Sequence, residues 1–439
     1  MIQRINKHLI NFPFKPGIFP FFYVWVVLIA GIIGVIMSVP GQTVGVSVFT
    51  DKLIDTLKIS RTNLSLAYML GTGLSALVMT FAGIFYDRMG ARLMASVSAL
   101  FLAGVLVLLS QIDHIVFFVK NLLNVHSVTV TLIIVTLSFF LLRLFGQGIL
   151  TMVSRNMVMK WFDRYRGLAN GILGVMISFG FSYAPRYFND LIEASNWRMA
   201  WVNLAFILMG FTVFAFLFFR DDPFECNQKP DGLSVKNNGS DSAVKKPQVR
   251  NFTLAETLRT YSFWMFNLGL FLSGLFVTAF TFHVVSIFGA ASLSRETAIS
   301  IFLPAALISV VFHFAGSWLS DYIPLKYLLL TLIVGLLISM ISVLYLDNSI
   351  FYKILILGNG ISTGMFGTLI AVTWPKLYGT KHLGAISGFA LSWVVAGSAV
   401  GPFFLSLSFK YTAKYTMSLQ FLIIFTIILF ILSSFLKDN

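Results

Sequence analysis

The chain has 439 residues, 57% of them hydrophobic and 11% charged, with 46 Phe and a mean hydropathy of +0.86. A water-soluble domain typically carries about 25% charged and 45–50% apolar residues, so a chain this long and apolar could not cover its surface in water. That excludes an ordinary cytosolic enzyme, a disulfide scaffold and a disordered protein, and leaves a polytopic membrane protein with room for roughly a dozen spans of about 20 residues.

The formal charge is +14. The basic residues stand in short clusters between apolar runs, which is the pattern of charge that fixes membrane orientation; no nucleic-acid partner is expected. Cys226 is the only cysteine, so no intrachain disulfide can form. The N-terminal stretch carries Arg4, Lys7 and Lys15 ahead of an apolar run without a small-residue cleavage pattern, so the first span is expected to be retained.

Apolar runs long enough to cross a bilayer lie at about 20–49, 62–86, 92–112, 129–154, 167–189 and 199–219. A second set follows at about 262–289, 297–320, 326–346, 352–374, 383–408 and 415–436. In lipid only a backbone that pairs its own hydrogen bonds is stable, and the runs lack the alternation of a membrane β-barrel, so all are expected to be helices. Between the sets, Asp221 to Thr260 is polar and holds Pro223, Pro230, Gly232, Gly239 and Pro247. The reading is an all-α membrane protein of twelve transmembrane helices in two six-helix halves, 1–220 and 261–439, joined by a linker over 221–260. Most Lys and Arg fall in the N-terminus, the linker and the loops on the same side, including the loop taken to follow residue 154. By the positive-inside rule both termini and the linker face the cytoplasm, and the expected location is the inner cell membrane.

The halves echo each other. Gly83-Ile-Phe-Tyr-Asp87-Arg88-Met-Gly90-Ala-Arg92 follows the second span, and Gly316-Ser-Trp-Leu-Ser-Asp321 follows the eighth. Arg166-Gly167-Leu-Ala-Asn-Gly171 enters the fifth span, and Leu383-Gly384-Ala-Ile-Ser-Gly388 enters the eleventh. Paired halves pivoting about a central site are a common build for secondary transporters.

At these residues the chain resembles the major facilitator superfamily. Gly83 to Arg92 matches that superfamily's G-x-x-x-D-R-x-G-x-R loop, and Arg143-Leu-Phe-Gly146-Gln147-Gly148 is similar to its fourth-helix element. The echo at Asp321 departs by one residue, with four residues between Gly316 and Asp321 where the first copy has three. Within the superfamily, Asn156-Met-Val-Met-Lys-Trp161-Phe162 running on to Arg166-Gly167, and Tyr378-Gly-Thr-Lys-His382-Leu-Gly384, resemble the oxalate/formate antiporter and monocarboxylate porter branch. Oxalate carriers of that branch are expected to hold their dianion with basic residues in helices eight and eleven. Here 297–320 and 383–408 contain no Lys or Arg, which argues against a dicarboxylate.

Several residues could carry chemistry. Asp87, Arg88 and Arg92, with Asp321 as the echo, are candidates for a conformational latch, because a carboxylate at a loop can bind helix ends in one state and release them in another. Arg143 sits well inside the fourth span, where an arginine costs at least about 2.5–3.5 kcal/mol. It is either a substrate or coupling residue, or a structural arginine bonded to helix carbonyls and Gln147. Arg186 is expected to snorkel to the outer interface. Gln42 and Thr43 follow Pro40-Gly41 at the end of the first span, where an interrupted helix can present polar groups to a ligand. Asn359 and Thr363 are their counterparts in the tenth span. His283 is a titratable candidate in the seventh span, and His313 is read as structural.

No metal cluster, phosphate loop or nucleophile triad is found in the sequence, so no enzyme activity, cofactor or metal is expected. The function expected is secondary active transport of a small organic monocarboxylate by alternating access, with protons or a counter-anion as coupling partner and the chain acting as a monomer. Rival readings are an efflux carrier for amphipathic compounds and a non-transporting solute sensor on the same fold.

Overall fold

In the computed structural model, residues 12–14, 16, 23–125, 127–226, 228–232, 250–412 and 414–437 are described. Among them no strand occurs, and the helices pair their own backbone as lipid requires. The helices in chain order are α1 (Tyr23–Ile36), α2 (Thr43–Ser47), α3 (Thr50–Leu57), α4 (Arg61–Ser110), α5 (Ile112–Leu123), α6 (Val128–Leu142), α7 (Thr151–Trp161), α8 (Arg166–Ala194) and α9 (Trp197–Phe218). They continue as α10 (Leu254–Thr257), α11 (Tyr261–Ala290), α12 (Arg295–Ser300), α13 (Phe302–Leu319), α14 (Leu325–Leu344), α15 (Ser349–Tyr378), α16 (Leu383–Thr412) and α17 (Thr416–Ser434).

Among the described residues, eleven helical segments are long and apolar enough to cross a membrane. One of them, Thr62–Ser110, holds two of the twelve expected spans. Its turning point is Gly90, whose φ of 75° and ψ of 169° interrupt α4 in a region open essentially to glycine alone. The chain is thus a multi-pass membrane protein with twelve spans.

Three boundaries differ from expectation. The first span is interrupted at Pro40-Gly41, as its sequence suggests, and so is not one helix to residue 49: α1 ends at Ile36, a tight turn covers Val39–Gly41, and α2 restarts at Thr43. Pro40 has no N–H to continue the ladder, which is the reason for the break. The segment between the apolar runs 92–112 and 129–154 is mostly α5, an amphipathic helix with Ile112 and Val116 buried and Phe117, Phe118 and Leu122 exposed. Arg198 pins its start through a bidentate pair with Asp113, at 2.7 Å from each carboxylate oxygen. Those bonds hold the Asp113 carboxyl below the usual carboxylate range. Third, the fourth span does not stop at 154. It passes from α6 through a π-helical stretch (Arg143–Leu150) into α7, so Arg155 and Lys160 lie in helix and not in a loop.

The segment 221–260, expected as a linker, lies partly outside the described residues, since 227 and 233–249 are not among them. Its described end is ordered by a capping box between Thr253 and Glu256 ahead of α10.

Packing groups the chain into two units. The first comprises Met1–Asp163, Met176–Gln248 and Leu383–Ser392. Its core holds Tyr23, Phe49, Phe139, Trp161 and Trp201, and Phe49 stacks on Trp201 at 3.7 Å. The second comprises Arg164–Val175, Val249–His382 and Trp393–Asn439, with Phe263, Phe276, Phe280 and Trp374 fully buried.

Replacing Gly90 by Ala forces a side chain into its backbone conformation at a cost of about 1–3 kcal/mol. The expected result is a lower apparent Tm for Gly90→Ala in detergent and an unchanged one for Gly104→Ala, a helix position where an added Cβ meets nothing within 4 Å.

Candidate functional site

The first cluster forms at the break in the first span. Turning the backbone at Val39–Gly41 frees carbonyls that a continuous helix would occupy. The Arg143 guanidinium fills that role: Nη1 donates to the Gly41 carbonyl at 3.2 Å and to Thr43 Oγ1 at 3.3 Å. Its charge lies over the Tyr68 ring at 5.1 Å, and the Tyr68 hydroxyl donates to Thr43 Oγ1 at 2.9 Å. Arg143 is only 4% exposed. Gly41 and Gly146 allow this approach, since a Cβ on Gly41 would stand 2.7 Å from the Gly146 Cα. Beside it, Gln42 Nε2 donates to Ser38 Oγ and to Thr151 Oγ1, both at 3.1 Å, and Thr151 Oγ1 donates to Ser38 Oγ at 3.0 Å. Gln147, the partner foreseen for Arg143, makes no side-chain hydrogen bond among the described residues; the break in α1 is what Arg143 holds.

The second feature is a pair of matching caps. Asp87 accepts from the amides of Gly384 and Ala385, both at 2.8 Å, at the start of α16. Asp321 accepts from Gly167 at 2.8 Å and Leu168 at 3.2 Å, at the start of α8. The extra residue in the second copy of the motif leaves the carboxylate in the same role. A carboxylate there satisfies orphan N–H groups and meets the positive end of the helix dipole, worth about 0.5–2 kcal/mol. Burial raises the Asp321 carboxyl above the usual range. Close approach is built in: a Cβ on Gly384 would lie 2.4 Å from the Gly83 carbonyl, and one on Gly167 would overlap the Ser317 carbonyl.

Around the caps the two units use different polar contacts. Asn156 Nδ2 donates to Ser387 Oγ at 2.7 Å in the first. In the second, Asn170 Nδ2 bonds Ser317 Oγ at 3.0 Å and His313 Nε2 at 3.3 Å, and the imidazole fills a slot bounded by Gly174 and Gly367. Lys376 donates to the Ser320 carbonyl.

The basic members of the proposed latch part company. Arg88 is exposed and has no partner among the described residues. Arg92 is buried, its Nε donating to the Phe219 carbonyl at 3.3 Å with the guanidinium 5.7 Å from the Phe216 ring centre. Two residues that sequence reasoning passed over do more. Asp221 accepts the Ala91 amide at 3.0 Å just beyond the Gly90 break, and pairs with Lys160 at 2.9 Å. Lys160 also lies over the Tyr86 ring at 4.6 Å. Sequence spacing carries no hint of that pair, because the two residues are brought together only by packing. Arg155 was passed over because the fourth span was ended one residue short of it.

The remaining candidates are separate. His283 Nε2 lies 2.9 Å from the Pro402 carbonyl, which can only accept, so that nitrogen carries the hydrogen and Nδ1 faces the Tyr415 hydroxyl at 3.4 Å. Thr363 Oγ1 donates to Asn359 Oδ1 at 3.3 Å; Asn359 is buried and Thr363 exposed. Arg186 is exposed.

Twelve spans, a broken first helix and carboxylate-capped helix starts define a polytopic membrane transporter. The family model described as Major Facilitator Superfamily matches residues 28–402, and the chain belongs to that superfamily. Among solved structures it is similar to the human organic anion transporter MFSD10 (TM-score 0.60, 12% identity, covering 93% of this chain and 99% of that one). The E. coli fucose:proton symporter FucP gives a TM-score of 0.60 at 14% identity, covering 95% of this chain and 100% of the other. The proton:xylose symporter XylE, solved with 6-bromo-6-deoxy-D-glucose bound, gives 0.61 at 14% identity, covering 95% and 96%. At these identities the likeness is one of fold. No curated protein matches the sequence.

Asp87→Asn and Asp321→Asn each remove one of two acceptors from a helix start while keeping the side-chain shape. Loss of about 1–2 kcal/mol from a rate-limiting barrier corresponds to roughly a five- to thirty-fold change in rate. The expected outcome is intact insertion, an apparent Tm close to wild type, and slowed exchange in proteoliposomes; full turnover in both variants would remove the caps from the transport cycle.

Proposed function

We propose that this transporter is a secondary carrier for a small organic monocarboxylate, working by alternating access between two six-helix halves, 1–220 and 261–439, on either side of the 221–260 linker. The reading includes both termini in the cytoplasm, an inner-membrane location and function as a monomer. The observation that carries the substrate class is the absence of Lys and Arg from the eighth and eleventh spans beside a buried arginine in the fourth. One arginine is fully buried at the broken first helix among Thr43, Tyr68 and Gln42, while 297–320 and 383–408 hold no Lys or Arg. A single carboxylate suits so few cations, and a dicarboxylate does not. The resemblance to the oxalate/formate and monocarboxylate porter branch supports this, and the organic anion named for MFSD10 is compatible with it.

The carboxylate caps supply a physical basis for the cycle. Each is strong enough to hold a closed arrangement and weak enough to be given up when substrate binding favours another. Coupling to protons is supported by the symporters FucP and XylE, and exchange against a second anion is the alternative.

Counterflow in proteoliposomes tests the reading, with radiolabelled formate, lactate, pyruvate, oxalate, fucose and xylose offered in parallel. A monocarboxylate is expected to exchange, oxalate is not, and an inward proton gradient is expected to drive net uptake of the acid. Exchange of a labelled sugar with none of the acids would make this a sugar carrier and overturn the proposal.

A further inference from the structure

Four buried or half-buried cations within the first unit's helices differ in one respect: whether the protein supplies them with partners. Arg143 has a carbonyl, a hydroxyl and an aromatic face. Lys160 has the Asp221 carboxylate and the Tyr86 ring. Arg92 has the Phe219 carbonyl. Arg155 has none of these. It lies within α7, half-buried, with Nε and Nη1 both buried and without a hydrogen-bond partner. No carboxylate or aromatic ring among the described residues pairs with it.

Burying part of a guanidinium without a partner in a membrane helix is unfavourable. The contact of α7 with α1 does not use it, since the helix meets α1 through Ser154, Met157 and Val158. Its position along the helix is informative. Thr151 is four residues earlier, so Thr151 and Arg155 share a face of α7. Thr151 is the hydroxyl that ties Gln42 and Ser38 together. Arg155 therefore lies one turn to the cytoplasmic side of the polar cluster at the first-span break, with two to three unspent donors in the forked arrangement that matches a carboxylate.

We propose that Arg155 is the residue that binds the anionic group of the substrate, while Arg143 holds the broken first helix in shape. This rests on the organic-anion reading above and deepens it. The ligand is a free small carboxylate that reaches Arg155 from the cytoplasmic side, and its negative charge compensates a guanidinium whose buried nitrogens have no partner among the described residues. The arrangement trades stability for binding: without ligand the bare arginine is a liability, and with ligand it is not.

The test uses purified full-length protein in detergent, with thermal unfolding followed against increasing lactate, pyruvate or formate and against sodium chloride at equal ionic strength. Wild type is expected to gain stability with at least one acid in a saturable way that chloride does not reproduce. Arg155→Gln is expected to weaken that acid's apparent Kd by roughly ten-fold or more, as loss of a charge-assisted bidentate contact does, while Arg155→Lys keeps an intermediate affinity. Without ligand, Arg155→Gln is expected to unfold at the same temperature as wild type or higher, because it removes a buried unpaired charge. An Arg155→Gln protein that binds the acid as wild type does would overturn the proposal and leave the organic-anion reading standing. So would one that unfolds well below wild type without ligand, which would give Arg155 a structural partner. If wild type responds to none of the acids, the organic-anion reading and the proposal fall together. Phosphatidylglycerol added to the same samples separates the remaining source of negative charge: stabilisation by the lipid and not by the acids assigns Arg155 to a headgroup phosphate and overturns the proposal.

Discussion

A helix that starts in or beside a bilayer leaves N–H groups that lipid cannot satisfy, and much of this structure answers that constraint. Asp87 meets it for α16 and Asp321 for α8, each with two oxygens on two consecutive amides. Asp221 meets it for the helix restarting after Gly90 by accepting the Ala91 amide. All three answers use a carboxylate, which both satisfies the donors and matches the helix dipole. Because each such bond can be replaced by water when a helix end becomes wet, the same contacts that complete the fold are reversible.

The broken first span is the complementary case. There the orphan groups are carbonyls, and the partner is a cation: Arg143 donates to Gly41 and Thr43 and rests on Tyr68. The cost of burying arginine is offset by three contacts, two of which, to Gly41 and Thr43, the break makes available. The π-helical stretch that begins at Arg143 and the glycine pair Gly41 and Gly146 bring the two segments close enough for those contacts. Helix interruption and buried charge thus explain each other. Arg155 has no such arrangement around it, and this contrast separates a structural arginine from one left open.

The spans were legible in the sequence because hydrophobicity over a bilayer's thickness is a local property that needs no tertiary information. The break at Pro40-Gly41 was legible for the same reason, proline being unable to continue the ladder. The capping aspartates could be placed at the right loops by motif spacing, and the echo at Asp321 keeps the same geometry despite its extra residue. What each carboxylate binds was not legible, since Asp87 and Gly384 are remote in the chain. α5 was missed because an amphipathic interfacial helix has too few consecutive apolar residues to be counted as a span. Arg155 was assigned to a loop because a charge at the edge of an apolar window looks like the end of a span. Whether that charge is buried depends on what packs around the following turn.

The sequence alone determined a multi-pass helical membrane protein with twelve spans, a break in the first and an acidic residue after the second and eighth. Those features follow from local hydropathy, backbone covalent limits and residue spacing. Only the tertiary structure decided which charges are spent and which are not. Arg143 and Lys160 are matched, Arg88 stands exposed, and Arg155 is half-buried with donors to spare. The reason is that a charged group's cost is set by the partners within a few ångströms, and those partners come from segments far apart in the chain.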